Sequence, residues 1–311
     1  MREIQANPIF TAAWQPFFIL LTLSLSVLSG CGVKTRIATP VTPGILQSKS
    51  AGFEELLGIL RRYDDIHSLA CNHIRVTLTS GRRERGWVEQ YRSVPGYILL
   101  RRPDSVRLVI QNPVTQTTLL DVLSVGKDLS VWYPRENKFF VGSNSARELV
   151  AEDSPDSKGF LIPIRGTHLF EAIFPQSIRT DAPGVRISLE PAADSQRRYY
   201  VLGVYGDAAP PRIDVIRKIW IERSGLTIAR QELYGEGEIA SDVTYSNETP
   251  FGGFNLPLRV HIDRPLDGYS LDMQFEGWRI DPDLGPEAFS LNPPPGARIV
   301  HLRERGRSGV S

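Results

Sequence analysis

Toward its C-terminal end the chain alternates apolar and polar residues. Leu256, Leu258, Val260 and Ile262 fall on one side of an extended segment, and Leu271, Met273 and Phe275 alternate with Asp272, Gln274 and Glu276. A period of two sends successive side chains to opposite faces of a strand, so these segments have one dry face and one wet face. A chain with this pattern must bury the dry face of a sheet against something else.

Similar extended runs occur upstream, at residues 74–78, 97–100, 106–110, 118–125, 129–133 and 138–141, and again at 185–189, 199–205, 213–222, 226–230 and 241–245. Gly126-Lys127-Asp128 and Pro134-Arg135-Glu136-Asn137 separate neighbouring runs in the manner of turns. Short strands with hairpin connections imply an antiparallel sheet, with roughly ten or eleven strands in two groups. A last extended piece, residues 297–302, follows the loop Asn292-Pro293-Pro294-Pro295-Gly296.

Helical spacing appears in only a few places. Phe53, Leu56, Leu57, Leu60 and Tyr63 recur at the helical period after Ser50, which predicts an N-capped helix of about four turns. Residues 145–150 are compatible with a short helix, and residues 152–158 form a polar loop containing Pro155. A third helix is expected from Thr167, with Leu169, Phe170, Ile173 and Phe174 strongly apolar and Pro175 as its stop. So short and apolar a helix has to lie on a core.

The N-terminal segment supplies an address. Residues 17–28 are apolar apart from Thr22, Ser24 and Ser26. About a dozen helical residues at roughly 1.5 Å each fall short of a ~30 Å hydrocarbon core, which fits a signal-peptide apolar region. Leu28-Ser29-Gly30-Cys31 closes that run and resembles a bacterial lipobox, in which the cysteine is acylated and becomes the new N-terminus. Residues 1–30 are then a lipoprotein signal peptide and Cys31 is the lipid-attachment residue. The two or three acyl chains of such an anchor hold stably where one chain holds reversibly. An uncleaved N-terminal anchor is the alternative, and both place the body outside the cytoplasm. Residues 31–49, with Pro40, Pro43 and Gly44, form a flexible tether, residues 50–302 a folded domain, and residues 303–311 a disordered basic tail. Nothing in the middle loop has the length or composition of an interdomain linker, so the body is expected to be one domain.

Composition narrows the function classes. A net charge of +1 gives no electrostatic reason to expect nucleic acid as a partner, and 41% hydrophobic residues suffice for a real core. With Cys31 given to lipid, Cys71 is the only other thiol, so the fold stands on packing without an internal disulfide. Cys71 itself reads as a buried structural thiol.

Catalytic patterns are weak throughout. Ser124-Val125-Gly126-Lys127 has a Ser-x-x-Lys spacing, but it runs from a strand into a turn instead of opening a helix. His67, His73, His168, His261 and His301 are scattered, without a metal-ligand pair. His168 and Glu171 share a helical spacing that reads as a surface pair. These residues point to a binding protein, not an enzyme, with no metal and no cofactor beyond covalent lipid on Cys31.

Two stretches resemble the LolA/LolB-like lipoprotein-carrier superfamily of bacterial envelopes. One is Leu99-Leu100-Arg101-Arg102-Pro103-Asp104-Ser105-Val106-Arg107-Leu108 with the hairpin Gly126-Lys127-Asp128-Leu129-Ser130-Val131-Trp132-Tyr133-Pro134. The other runs through residues 226–232 and Phe254-Asn255-Leu256-Pro257 to Ala288-Phe289-Ser290-Leu291-Asn292-Pro293-Pro294-Pro295-Gly296. The resemblance implies a mainly β (α+β) fold: one curved antiparallel sheet forming an unclosed half-barrel, covered by two or three helices over an apolar cavity for acyl chains. Candidate cavity residues are Trp132, Leu169, Phe170, Ile173, Phe174, Trp220, Leu271, Met273 and Phe275, with the Leu169 helix as a lid. A methionine suits a wall that must repack around variable chains.

Strand alternation alone does not separate a cavity wall from a filled core. Two functions are therefore expected from the sequence. The first is a lipid-anchored protein, on the outer membrane and facing the periplasm, that binds lipids or lipoprotein acyl chains and aids their localisation. The second is a non-catalytic scaffold lipoprotein that binds an envelope protein partner.

Overall fold

The fold is described from a computed structural model, over residues 48–80, 89–144, 149–151, 164–207 and 213–304. Cys31, the signal segment, most of the tether and the loop at 152–158 lie outside these residues. Within them the chain is mainly β, with two α-helices, α1 (Phe53–Arg62) and α2 (Gly166–Ile173).

Sixteen strands form one sheet, more than the ten or eleven expected. The first meander is β1 (Ser68–Ser80), β2 (Glu89–Arg101), β3 (Ser105–Gln111), β4 (Thr118–Val125), β5 (Asp128–Tyr133) and β6 (Lys138–Ser143). After β7 (Leu149–Ala151) and α2, the second meander runs β8 (Arg186–Ala193), β9 (Arg198–Tyr205), β10 (Val215–Glu222), β11 (Thr227–Gly235), β12 (Glu238–Phe251), β13 (Phe254–Arg264) and β14 (Tyr269–Phe275). β15 (Arg279–Ile280) and β16 (Arg298–Glu304) complete the count. β7 and β15 were not anticipated because strands of three and two residues are too short to display a period.

The two meanders join through their first and last strands. β14 pairs antiparallel with β1, placing Ile74 opposite Phe275, Val76 opposite Met273 and Leu78 opposite Leu271. The sheet order then runs from β7 and β16 through β6 to β1, and from β14 down to β8, with the two ends unpaired to each other. The result is one curved, unclosed sheet, as expected. Every neighbouring pair is antiparallel except β16 with β6.

Both helices lie on the face of the sheet that carries the core. Leu56, Leu57 and Leu60 of α1 and Leu169, Ile173 and Phe174 of the α2 segment pack into the same apolar cluster as Val76, Val260, Leu271 and Met273. Burying each such side chain contributes about 1.5–3 kcal/mol. An eight-residue helix is unstable alone, so α2 depends on this packing.

Several local expectations are corrected. The N-cap of α1 is Gly52, with no side-chain cap bond; Ser50 lies two residues too early. The helix has ten residues, followed by a 3-10 turn over Tyr63–Asp65, because Arg102 takes the carbonyls of Tyr63 and Ile66, each at 2.9 Å. Of the short helix expected at 145–150, residues 145–148 lie outside the described residues, and Leu149 and Val150 belong to strand β7, where they pair with Glu304 and Arg303. That pairing also draws the first two residues of the expected C-terminal tail into β16. At the other boundary, Lys49 donates its backbone N–H to Arg223 at 2.8 Å, so the chain meets the sheet before α1 begins.

The segment after β15 crosses the opposite face of β2 to β6. Arg101 donates to the Leu284 carbonyl and stacks its guanidinium 4.3 Å from the Phe289 ring centroid. Arg107 donates to the Ala288 and Ser290 carbonyls while holding Asp121 at 2.8 Å. Asn137 takes the Gly296 carbonyl at 2.9 Å, which delivers β16 to the edge of β6. This strap buries outward residues such as Val109, Leu123 and Phe139.

Gly96 sits where β2 passes closest to β3. A Cβ built there would lie 2.1 Å from the Val109 carbonyl oxygen, which is backbone and cannot move aside. We expect Gly96→Ala to lower stability by about 2–3 kcal/mol, measured by urea denaturation. A change within about 0.5 kcal/mol would contradict this close approach.

Candidate functional site: the helix in the concave face

α2 lies between the ends of the two meanders in the chain and is held at both of its own ends. At the start, Gly166 lies against β4, where an added Cβ would fall 2.1 Å from the Ser124 side chain. Only a glycine permits that approach. Ser124 is fully buried and bonded to Asn144, which also reaches the carbonyls of Gly126 and Asp128 at 3.1 Å. The Ser-x-x-Lys spacing thus belongs to a packed hairpin.

Two residues along, His168 is buried, where sequence spacing suggests a surface pair with Glu171. Arg264 donates to its Nε2 at 2.9 Å, and arginine has no acceptor to offer, so the ring proton resides on Nδ1. Nδ1 then donates to the Tyr269 hydroxyl oxygen at 2.7 Å. Asp267 holds the other side of Arg264 at 2.8 Å. Burial, with the nearby Arg264 and Arg165 guanidiniums, keeps the His168 pKa well below the ordinary value of 6.5.

The last carbonyls of α2 have no partners within the helix, and the sheet supplies them. Gln231 donates to the Glu171 carbonyl at 2.8 Å and Tyr245 to the Ala172 carbonyl at 2.7 Å. Gln176 turns back to the Phe174 carbonyl at 3.0 Å. Arg217, from β10, donates to the Gln176 carbonyl at 2.6 Å and to Gln231 Oε1 at 2.7 Å. Arg102 places its guanidinium 4.8 Å from the Phe174 ring centroid, linking the end of α1 to the end of α2.

Most of the residues singled out from sequence meet here. Leu169, Phe174, Leu271 and Met273 are fully buried, and Phe170, Ile173 and Phe275 nearly so, all in one apolar cluster. Side chains of the helices occupy the concave face. Trp132 and Trp220 are elsewhere: their neighbours Val131, Ile219 and Ile221 point into the cluster, so the tryptophans point outward. Trp132 lies 6.5 Å from Phe139 and Trp220 lies 5.0 Å below the Arg230 guanidinium. The parity of each strand carried this information, and ring size hid it.

Sequence reasoning missed Arg217, Gln231, Tyr245 and Trp278. Trp278 packs 4.3 Å from Phe275 and donates to the Pro257 carbonyl at 2.8 Å. Arg217 and Gln231 occupy inward positions of strands that are otherwise apolar on that face, and such a break in the pattern is the signal that was available.

On the outer face of β12 to β14 is an open depression of about 380 Å³ lined by Thr244, Ser246, Arg259, His261 and Asp272. Its Arg259 and Asp272 are paired with each other at 2.8 Å. Among the described residues no group of three metal-ligating side chains occurs, and no helix is long and apolar enough to cross a membrane. Cys71 is buried and directs its thiol at the His73 carbonyl.

The His168 arrangement predicts an acid-sensitive core. A base whose pKa is depressed on folding binds its proton more readily in the unfolded chain, so its contribution to stability is complete above pH 6.5 and is lost as pH falls toward the folded value. We expect stability to decline from pH 6.5 downward by up to about 1.4 kcal/mol per pH unit from this group. His168→Leu should flatten that slope in urea denaturation series at several pH values, whatever its effect on stability at neutral pH. An unchanged slope would exclude His168 as its source.

No protein-family model matches the sequence, and no curated protein matches it. Solved structures similar to it include a LolA superfamily protein from Nitrosomonas europaea, at 15% identity and a TM-score of 0.44, covering 75% of this chain and 96% of that one. A DUF1329 family protein from Desulfovibrio piger is similar at 13% identity and a TM-score of 0.49, covering 78% and 98%. A domain from Vibrio parahaemolyticus, described as an outer membrane lipoprotein-sorting protein domain, is similar at 11% identity and a TM-score of 0.44, covering 75% and 95%. These are likenesses of chain trace over most of the described body.

Proposed function

We propose that this protein is a lipid-anchored envelope protein that binds acyl chains between α2 and the concave face of its sheet. The observation that carries the reading is the site's construction: an apolar face of an unclosed sheet, covered by α1 and by a second helix of only eight residues that depends on its packing there. An acyl chain offers the same apolar area as Leu169, Phe170, Ile173 and Phe174, so it can replace them there without leaving the sheet face in water. The unpaired ends of the sheet allow the covering helix to shift without breaking strand pairs. Binding of this kind requires shape and apolar surface, and no catalytic group. Acylated Cys31 would hold the body beside the membrane that supplies the chains. On this reading the cargo is lipid or the acyl chains of lipoproteins, and the protein aids their localisation at the outer membrane.

The test is photo-labelling of the full chain, in membranes, with a diazirine-bearing palmitate. Adducts on α2 and on Leu271, Met273 or Phe275, competed away by unlabelled palmitate, are the expected result. No competable adduct, or adducts confined to outward residues such as Thr244 and Trp220, would overturn the reading.

A further inference from the structure

Arg217 is a buried cation with no carboxylate bonded to it among the described residues. It is only 8% exposed, on the inward face of β10 beside Ile219 and Ile221. A guanidinium has five N–H donors. Two of them serve neutral oxygens, the Gln176 carbonyl and Gln231 Oε1. Among the described residues the Nε–H has no acceptor. The Glu171 carboxyl on α2 lies near enough to favour the charge, yet it does not bond to Arg217, and the Tyr245 hydroxyl donates instead to the Ala172 carbonyl. Burial weakens the hold of the guanidinium on its proton, the mark of a charge in a poorly compensating site.

Arg107 and Arg264 are differently placed. Arg107 has Asp121 at 2.8 Å and Arg264 has Asp267 at 2.8 Å. An uncompensated buried charge costs several kcal/mol, whereas a neutral side chain such as glutamine or methionine meets the helix end at far lower cost. The partial negative charge at the C-terminus of α2 compensates Arg217 only in part, and only while the helix stays seated.

We propose that Arg217 is the headgroup site of this protein, recognising the anionic oxygen group of a single-chain amphiphile, a carboxylate or a phosphate. This rests on the acyl-chain reading above. When the chain displaces α2, the carbonyl of Gln176 leaves with the segment that follows the helix. The guanidinium then presents its unused Nε–H and a neighbouring N–H as a fork, which matches two oxygens of one carboxylate or phosphate. Gln231 and Tyr245, freed from the Glu171 and Ala172 carbonyls, stand beside it with further donors. The head of the amphiphile thus takes over the hydrogen bonds that the helix end had occupied, while its tail takes over the apolar contacts of Leu169, Ile173 and Phe174. The helix and the ligand are alternative occupants of one face.

The experiment compares binding of palmitate, hexadecyl phosphate and hexadecanol, each radiolabelled, to the full chain and to its Arg217→Met and Arg217→Gln variants, with thermal unfolding to show that each variant is folded. The tails are alike, so any difference between ligands belongs to the head. Palmitate, hexadecyl phosphate or both should bind at least about tenfold more tightly than hexadecanol. The stronger of the two identifies the source of the anion. Either variant should abolish that preference while keeping hexadecanol affinity, a separation that a purely structural arginine would not produce. Equal binding of all three ligands to the unaltered chain, or a preference that survives in a folded variant, overturns the headgroup site and leaves acyl-chain binding standing. If none of the three binds, the acyl-chain reading fails and the headgroup site fails with it. If neither variant folds, the ligand comparison on the unaltered chain decides alone.

Discussion

Ile74 faces Phe275, and Leu78 faces Leu271, across the seam between β1 and β14. This pairing turns two meanders, each of which would expose an apolar face, into one sheet wide enough to curve around a core. It also sets the position of everything else. β1 must enter beside the end of α1, β14 must return from the far meander, and α2, on the connection between the meanders, is left over the shared concave face. The strands of the seam are about two hundred residues apart in the chain, and the entropy of closing so long a loop grows only slowly with length. The apolar contacts along the seam therefore suffice to hold it, even without a disulfide in the described body.

α2 shows how polar groups are used inside such a sheet. The apolar residues of the helix supply attraction without direction, and its orientation comes from the bonds at its ends. Gly166 against Ser124, and His168 between Arg264 and Tyr269, set the start. Gln231 and Tyr245 take the carbonyls at the finish, with Arg217 holding the residue beyond. Buried polar groups of this kind cost free energy when unpaired, so they favour one seating of the helix over its neighbours. On the proposal made for Arg217, the bonds that seat the helix are the ones a ligand headgroup would take over. In the proposed carrier, the closed state is closed because the protein satisfies its own binding groups.

The two faces of the sheet differ in what covers them. The inner face is covered by the helices, and the outer face of the first meander by the strap that Arg101, Arg107 and Asn137 hold through backbone carbonyls. The outer face of the second meander carries paired charges, among them Arg230 with Asp242 and Arg259 with Asp272. Salt bridges this accessible add little stability and keep the face wet.

The apolar residues at α2 were legible from sequence because Leu169, Phe170, Ile173 and Phe174 are concentrated in one turn and a half before Pro175. Leu271, Met273 and Phe275 were legible because alternation is a property of the strand itself. Trp132 and Trp220 were misplaced because their size drew attention that the parity of Val131, Ile219 and Ile221 should have outweighed. Arg217, Gln231 and Tyr245 were not legible as a group, since each belongs to a different strand and they converge only on the carbonyls of a helix placed between distant meanders. The class of fold, the dry face of each long strand and the existence of a short apolar helix can be read from the residues in order, because these depend on periods of two and 3.6 residues within one segment. Which strands are neighbours, what α2 covers and where a buried arginine keeps an unused Nε–H depend on contacts between segments that no local period records.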